Sequence, residues 1–144
     1  MIKINPYLNF NGNAEEAFTF YKSVFGGEFI FLQRMKETPE GSKLPAKEQH
    51  LIMHIAIRVG KDILMGSDIV ESMGHQLRVG NNTFISISVN TKKEADRLFT
   101  KLSADGLVHM PMQKTFWNSY FGILTDKFGI QWMLDCELSA KKSG

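Results

Sequence analysis

Two histidines and a few small polar residues are the side chains of this sequence that could do chemistry. His50 and His54 fall in residues 48–59, where the odd positions are apolar, so a β-strand would place both histidines on the opposite face. At ~3.3 Å per residue they would lie roughly 13 Å apart, too far to share one metal ion. His54 is therefore either a wall residue bonded to a neighbour or a group for ligand binding or proton transfer.

Small polar residues alternate with apolar ones in two further strand-like segments. Asn9 lies in the first, and Ser86 and Ser88 lie in the second. On one open face they could orient a ligand by hydrogen bonds, although solvated strands have the same pattern. Trp117 and Trp132 could add an apolar floor for a planar ligand, or they could fill the core.

Two amphipathic helices are predicted to position these strands. The first spans residues 13–25, because Asn13 followed three residues later by a glutamate is a capping-box pattern and two glycines follow. The second spans residues 91–104, with Asn90 or Thr91 as its cap.

The chain repeats one pattern of elements. Glu16-Ala17 recurs as Glu94-Ala95, 78 residues later, and a strand precedes each helix while three strands follow it. The predicted strands are residues 7–11, 28–37, 48–59 and 62–68 in the first half, and 84–88, 106–113, 119–125 and 129–135 in the second.

The repeat predicts an α+β fold of two βαβββ modules within one domain, residues 1–144. The first module is residues 1–68, a linker spans 69–82, and the second module is residues 83–136. Neither module can bury its sheet face alone. We therefore expect the helices on the outer face and a curled mixed sheet that encloses a concave cleft.

Composition excludes several classes of function. A chain of 144 residues with 43% hydrophobic content and a net charge of +2 predicts a globular protein without a nucleic-acid surface. No apolar run is long enough for a bilayer, and no signal-peptide pattern opens the sequence, so a cytoplasmic protein with no membrane partner is expected. The single cysteine, Cys136, excludes an internal disulfide and is expected to be buried.

Four segments carry a resemblance to a known family. "PYLNFNGNAEEAFTFYKSVFGGE", "MHIAI", "LMGSD" and "DKFGIQWML" occur in this order. They resemble the PhnB-like branch of the vicinal oxygen chelate superfamily, which includes glyoxalase I, bleomycin-resistance proteins and extradiol dioxygenases. This branch is often labelled a 3-demethylubiquinone 3-methyltransferase domain. No glycine-rich loop of the kind that holds a nucleotide-like cofactor follows a strand.

The resemblance implies a metal site, and the sequence departs from it. The superfamily's enzymes take metal ligands from the first and last strand of each half, which correspond here to Tyr7, Met65, Phe84 and Met133. A divalent ion needs several nitrogen, oxygen or thiolate donors, which this set does not offer. We therefore expect no metal and no cofactor.

The sequence predicts a small-molecule binding protein of the bleomycin-resistance kind, whose cleft lacks the usual metal ligands. The predicted ligand-binding residues are Tyr7, Asn9, His54, Phe84, Ser86 and Trp132. One alternative is a glyoxalase- or dioxygenase-like enzyme with lyase, isomerase or ring-opening chemistry on a small oxygenated substrate. Another is an interaction subunit whose surface matters more than its cleft. Because the superfamily's chains commonly pair and open strand edges recruit partners, a homodimer is expected.

Overall fold

The computed structural model describes residues 1–138, and the chain divides into two compact units, Met1–Arg78 and Val79–Gly144. Within the described part of the chain, each unit contains one α-helix and one four-stranded mixed sheet that does not close into a barrel. The predicted α+β class and the two βαβββ modules are confirmed. Among the described residues, no helix combines the length and the apolar character that a membrane crossing needs.

The first module has its strands in the order β1-β4-β3-β2, with β1 parallel to β4 and the other pairs antiparallel. Short 3-10 turns connect β2 to β3, and another, Glu71–Met73, follows β4. The elements are β1 Tyr7–Phe10, α1 Ala14–Phe25, β2 Phe29–Arg34, β3 Ile52–Val59 and β4 Asp62–Asp68.

Helix α1 covers one face of the first sheet with an apolar stripe. Phe18, Tyr21 and their neighbours on this stripe are fully buried, as is Ile55 of β3. A Cβ atom on Gly66 of β4 would stand 2.7 Å from the Phe18 ring and 2.7 Å from the Leu8 carbonyl oxygen. Glycine at this position therefore lets the helix approach the sheet closely.

The start of α1 is capped from another strand. Asn13 is the N-cap residue, but its side chain makes no capping hydrogen bond, so the predicted capping box is wrong. Instead the buried carboxylate of Asp68, at the end of β4, accepts from the amides of Gly12 (3.0 Å) and Ala14 (2.9 Å). Its second oxygen accepts from the amide of Ile52 at 2.9 Å. One side chain thus ties together the starts of α1 and β3 and the end of β4.

The second module repeats this topology with the order β5-β8-β7-β6, and β5 is parallel to β8. Its helix is capped locally, because the Thr91 hydroxyl accepts from the Glu94 amide at 3.1 Å. The elements are β5 Ile85–Val89, α2 Lys92–Leu102, β6 Leu107–Lys114, β7 Ser119–Thr125 and β8 Gln131–Glu137.

A buried aspartate also organises the second module. Asp126, in the turn between β7 and β8, accepts from the amides of Phe128 (2.8 Å) and Ile130 (3.0 Å). Its other oxygen accepts from the indole nitrogen of Trp132 at 2.8 Å. Trp132 and Leu134 of β8 are buried, as are Leu98 and the other apolar residues of the α2 stripe. The indole therefore belongs to the core of this module.

Candidate functional site

The face of the first sheet that α1 leaves uncovered carries most of the residues that could bind a ligand. We call this surface the first open face and define it by Tyr7, Asn9, Phe31, His54 and Ser67. Strand register places Tyr7 beside Met65, Met65 beside Ala56, and Ala56 beside Phe31. Direct partners point to the same side of a sheet, so these side chains share the face opposite α1.

Aromatic rings flank His54 on this face. The Tyr7 ring centroid lies 5.5 Å from the imidazole, and the Phe31 centroid lies 5.2 Å from it. The Tyr7 hydroxyl is 3.1 Å from His54 Nδ1, and either group can donate, depending on the tautomer. Tyr7 and Phe31 stay 45% and 46% exposed, so their rings present apolar surface to solvent. Tyr7 and His54, both predicted to bind a ligand, therefore lie in contact on one face of the sheet.

Small polar groups lie next to the aromatic residues. Asn9 is the register partner of Ser67, whose hydroxyl donates to Asn9 Oδ1 at 3.4 Å. Beyond them the chain folds back over the strand ends and leaves an open depression of about 380 Å³. Its lining residues are Asn9, Ser67, Asp68, Ile69, His75 and Gln76.

His75 is a site candidate to which sequence reasoning assigned no role. Gly74 takes a left-handed conformation (φ 86°) after the turn at Glu71–Met73, and this directs the chain back toward β4. The Val70 amide then donates to His75 Nδ1 at 3.2 Å. A neutral imidazole that accepts at Nδ1 carries its proton on Nε2, so the ring keeps a donor. Ser67 could have been found from the alternation along β4, but nothing local to His75 predicts its position.

His50 does not join His54. The strand predicted from residue 48 begins at Ile52, and His50 lies in the preceding turn. Its carbonyl oxygen accepts from the guanidinium of Arg34 at 3.2 Å. The apolar alternation extends into this segment because Leu51 is buried without being in the sheet. The prediction that both histidines occupy one strand face is therefore wrong for His50.

Trp132 does not lie with the polar residues of the second module. Ser86 pairs with Met133, whereas Trp132 pairs with Ile85, so Trp132 and Ser86 are on opposite faces of the sheet. Trp132 is 1% exposed and its indole nitrogen is bonded to Asp126. The prediction that Trp132 contacts a ligand is corrected, because this ring fills the core instead.

Phe84 and Ser86 remain exposed in the second module. Phe84 precedes β5, and Ser86 faces the side opposite α2 together with Ser88, Met133 and Asp135. Asp135 accepts a hydrogen bond from Ser119 on the neighbouring strand. This module therefore also presents polar groups on its uncovered face.

The residues at the superfamily's metal positions do not fit a divalent ion. Tyr7 and Met65 are register partners on β1 and β4, and they supply a phenol and a thioether. In the second module the register partner of Met133 is Ser86. The residue that corresponds to Tyr7 is therefore Ser86, two residues after the Phe84 that the alignment predicts. Within residues 1–138, no group of three or more His, Cys, Asp or Glu side chains could hold a metal ion.

An ion pair lies at the edge of the first sheet, between β2 and α1. The Arg34 guanidinium donates to both carboxylate oxygens of Glu15 on α1, at 2.9 and 2.8 Å. These hydrogen bonds hold the pKa of Glu15 below its usual value and raise the pKa of Arg34. The pair joins α1 to β2 and leaves the first open face without this charge.

A family model named 3-demethylubiquinone-9 3-methyltransferase matches residues 2–134. This range includes the four sequence segments that carry the predicted resemblance. The chain belongs to this family. Protein YjdN of Escherichia coli (strain K12) is 32% identical over 141 residues, which covers 92% of this chain and 93% of that protein. The predicted resemblance is therefore confirmed.

Solved structures extend the similarity. Protein PA1353 of Pseudomonas aeruginosa is 38% identical with a TM-score of 0.85, covering 96% of this chain and 100% of that one. A protein of Bacillus cereus described as a putative 3-demethylubiquinone-9 3-methyltransferase, PhnB protein, is 29% identical with a TM-score of 0.76, covering 94% and 99%. A glyoxalase/bleomycin resistance protein/dioxygenase family enzyme of Burkholderia phytofirmans shares the fold at 17% identity, with a TM-score of 0.63 over 92% and 97%.

Proposed function

We propose that this protein binds a small planar molecule on its first open face and that binding does not use a metal. The observation that carries the proposal is the pair of exposed rings, Tyr7 and Phe31, on either side of His54. Large aromatic side chains left in water on a sheet face supply apolar area that a ligand can cover. Asn9 and Ser67 beside them supply hydrogen bonds that fix the ligand's orientation.

The binding free energy expected from the aromatic contacts exceeds the free energy expected from a hydrogen bond to His54. Truncating a buried aromatic contact typically costs about 2 kcal/mol of binding or more, which is roughly a thirtyfold loss in affinity. A peripheral imidazole hydrogen bond contributes only about 0.5 to 1.5 kcal/mol. We therefore expect Tyr7 and Phe31 to contribute more than His54.

The family's name refers to methyl transfer, which needs a bound methyl donor. In many nucleotide-binding folds the glycine turn before a helix leaves its amides for the cofactor. Here the turn between β1 and α1 contains Gly12, but the amides of Gly12 and Ala14 are bonded to Asp68. This arrangement supports binding without a nucleotide-like cofactor at that turn.

A second candidate function rests on the bond between Tyr7 and His54. A phenol 3.1 Å from an imidazole forms a pair that can pass a proton to or from a bound molecule. Such a pair would suit isomerase, lyase or ring-opening chemistry on a small oxygenated substrate. Tyr7→Phe distinguishes the two functions, because it keeps the ring for binding and removes the proton.

The test is calorimetric titration with 2-naphthol, a planar probe, and with cyclohexanol, a non-planar one. We expect 2-naphthol to bind the wild type, Tyr7→Ala or Phe31→Ala to weaken it by about thirtyfold, and His54→Ala to weaken it less. Phe116→Ala is the matched control, because Phe116 is 95% exposed in the second module. Equal binding of the two probes, or equal loss in the control variant, would contradict the proposal.

Phe84 and Ser86 are exposed in the second module. Their part in ligand binding stays a prediction from the sequence. Cytoplasmic location and a homodimer remain predictions from the sequence.

A further inference from the structure

The depression next to the first open face is lined, among the described residues, without any lysine or arginine and with one aspartate. Of the six described residues that form it, none is Lys or Arg, and the one acidic residue is the buried Asp68. Both Asp68 oxygens already accept main-chain amides, so they are not available to bind a ligand cation directly. The carboxylate still places negative charge in the wall, which disfavours an anion.

The remaining polar groups offer neutral hydrogen bonds. Asn9 accepts from Ser67 through Oδ1, which leaves its amide NH₂ as a donor. His75 accepts from the Val70 amide through Nδ1, which leaves Nε2–H as a donor in the neutral ring. Gln76 adds a second amide with both a donor and an acceptor. These donors are uncharged, and the described lining residues include no lysine or arginine to balance a negative charge. Such a site suits a carbonyl or amide oxygen better than a carboxylate or a phosphate.

We infer that this depression, defined by Asn9, Ser67, His75 and Gln76, holds an uncharged carbonyl or carboxamide end of the molecule whose planar part lies on Tyr7 and Phe31. The inference rests on the proposed function and adds the chemical class of the ligand. Its basis is the shared position of Asn9, which lies on the first open face and also lines the depression. A space of about 380 Å³ is large enough to take a carbonyl or carboxamide group.

The positioning of His75 depends on the segment that follows β4. Glu48, which is buried, accepts from the amide of Ser72 at 3.2 Å and from its hydroxyl. This contact fixes the 3-10 turn that precedes Gly74 and His75. Glu48 therefore holds the segment that carries His75 in place, although Glu48 itself does not line the depression.

The experiment compares benzamide, benzoate and benzylammonium, which share one ring and differ in charge. Binding is followed by NMR through the backbone amides of Ser67 and Gln76 and the ring signals of Tyr7 and Phe31. We expect all three probes to shift the ring signals and only benzamide to shift Ser67 and Gln76. Benzamide should bind at least about tenfold more tightly than benzoate.

Two variants sharpen the comparison. His75→Ala should remove the preference for benzamide, whereas His109→Ala, an exposed histidine of the second module bonded to Thr125, should not. Asn9→Asp should transfer the preference to benzylammonium, whereas Asn90→Asp, which changes net charge equally at an exposed site, should not.

The outcomes separate the two proposals. Equal affinity for the three probes, a preference for benzoate, or silent Ser67 and Gln76 signals would overturn the inference and leave the proposed function standing. A response at Ser67 and Gln76 without one at the rings would overturn the proposed function and the placement of the planar part on Tyr7 and Phe31, and would leave only the preference of the depression for a carboxamide. No response anywhere would overturn both.

Discussion

Replacing Asp68 should destabilise the first module more than any surface change. Its carboxylate is 6% exposed and accepts three main-chain amides at 2.9 to 3.0 Å. Asp68→Ala leaves the buried amides of Ala14 and Ile52 without acceptors, at about 1 to 3 kcal/mol each, and also removes the bond to Gly12. We expect a loss of about 3 to 5 kcal/mol in the free energy of unfolding.

Asp68→Asn separates shape from hydrogen bonding. The amide keeps one oxygen acceptor but turns an NH₂ group toward at least one main-chain N–H, so we expect a loss of about 2 to 3 kcal/mol. Urea unfolding followed by circular dichroism gives both values, and hydrogen exchange at Ala14 and Ile52 localises them. The control is Asp62→Asn at the exposed start of β4, which should change stability by less than about 0.5 kcal/mol. A loss below about 1 kcal/mol for Asp68→Ala would refute the reasoning.

Three further predictions concern the helices, the ion pair and the assembly. Thr91→Ala should cost about 1 kcal/mol of stability by urea unfolding, whereas Asn13→Ala should cost much less, because only Thr91 makes a side-chain cap; equal losses would contradict this. Because the folded-state pKa of Glu15 is lowered, its contribution is present above the unfolded pKa and fades as pH falls through the folded one. Glu15→Gln should therefore cost up to about 1 kcal/mol near pH 7 at low salt and almost nothing once the pH is well below the lowered pKa of Glu15, and a cost independent of pH would exclude the ion pair as its source. Light scattering should give about twice the chain mass of 16.4 kDa, because the edge strands β2 and β6 expose apolar side chains, and a value near 16 kDa would exclude the dimer.

The secondary structure could be predicted where its signals are local. Strands β4 and β7 have the predicted bounds, because turn residues flank both and their side chains alternate. Helix α1 differs from its prediction by one residue at its start. Its cap could not be predicted, because Asp68 is 54 residues from Ala14 in the chain and reaches it only in the folded sheet.

The candidate site was only partly predictable, because one strand is apolar on both faces and one lining residue lies outside the regular elements. Strand β8 has Trp132, Met133 and Leu134 in succession, so both faces are apolar and alternation cannot say which one α2 covers. The face on which Asn9 lies was predictable because β1 alternates, whereas Tyr7 was predicted from the alignment of the two halves. His75 was missed because a left-handed glycine and a 3-10 turn, rather than a regular element, bring it to the strand ends.

The most direct test of metal-free binding on the first open face is one NMR titration with 2-naphthol, performed before and after treatment with EDTA. We predict that the ring signals of Tyr7, Phe31 and His54 shift together and that the dissociation constant is the same in both titrations. Binding that EDTA abolishes, or shifts that leave these three rings unaffected, would contradict the account.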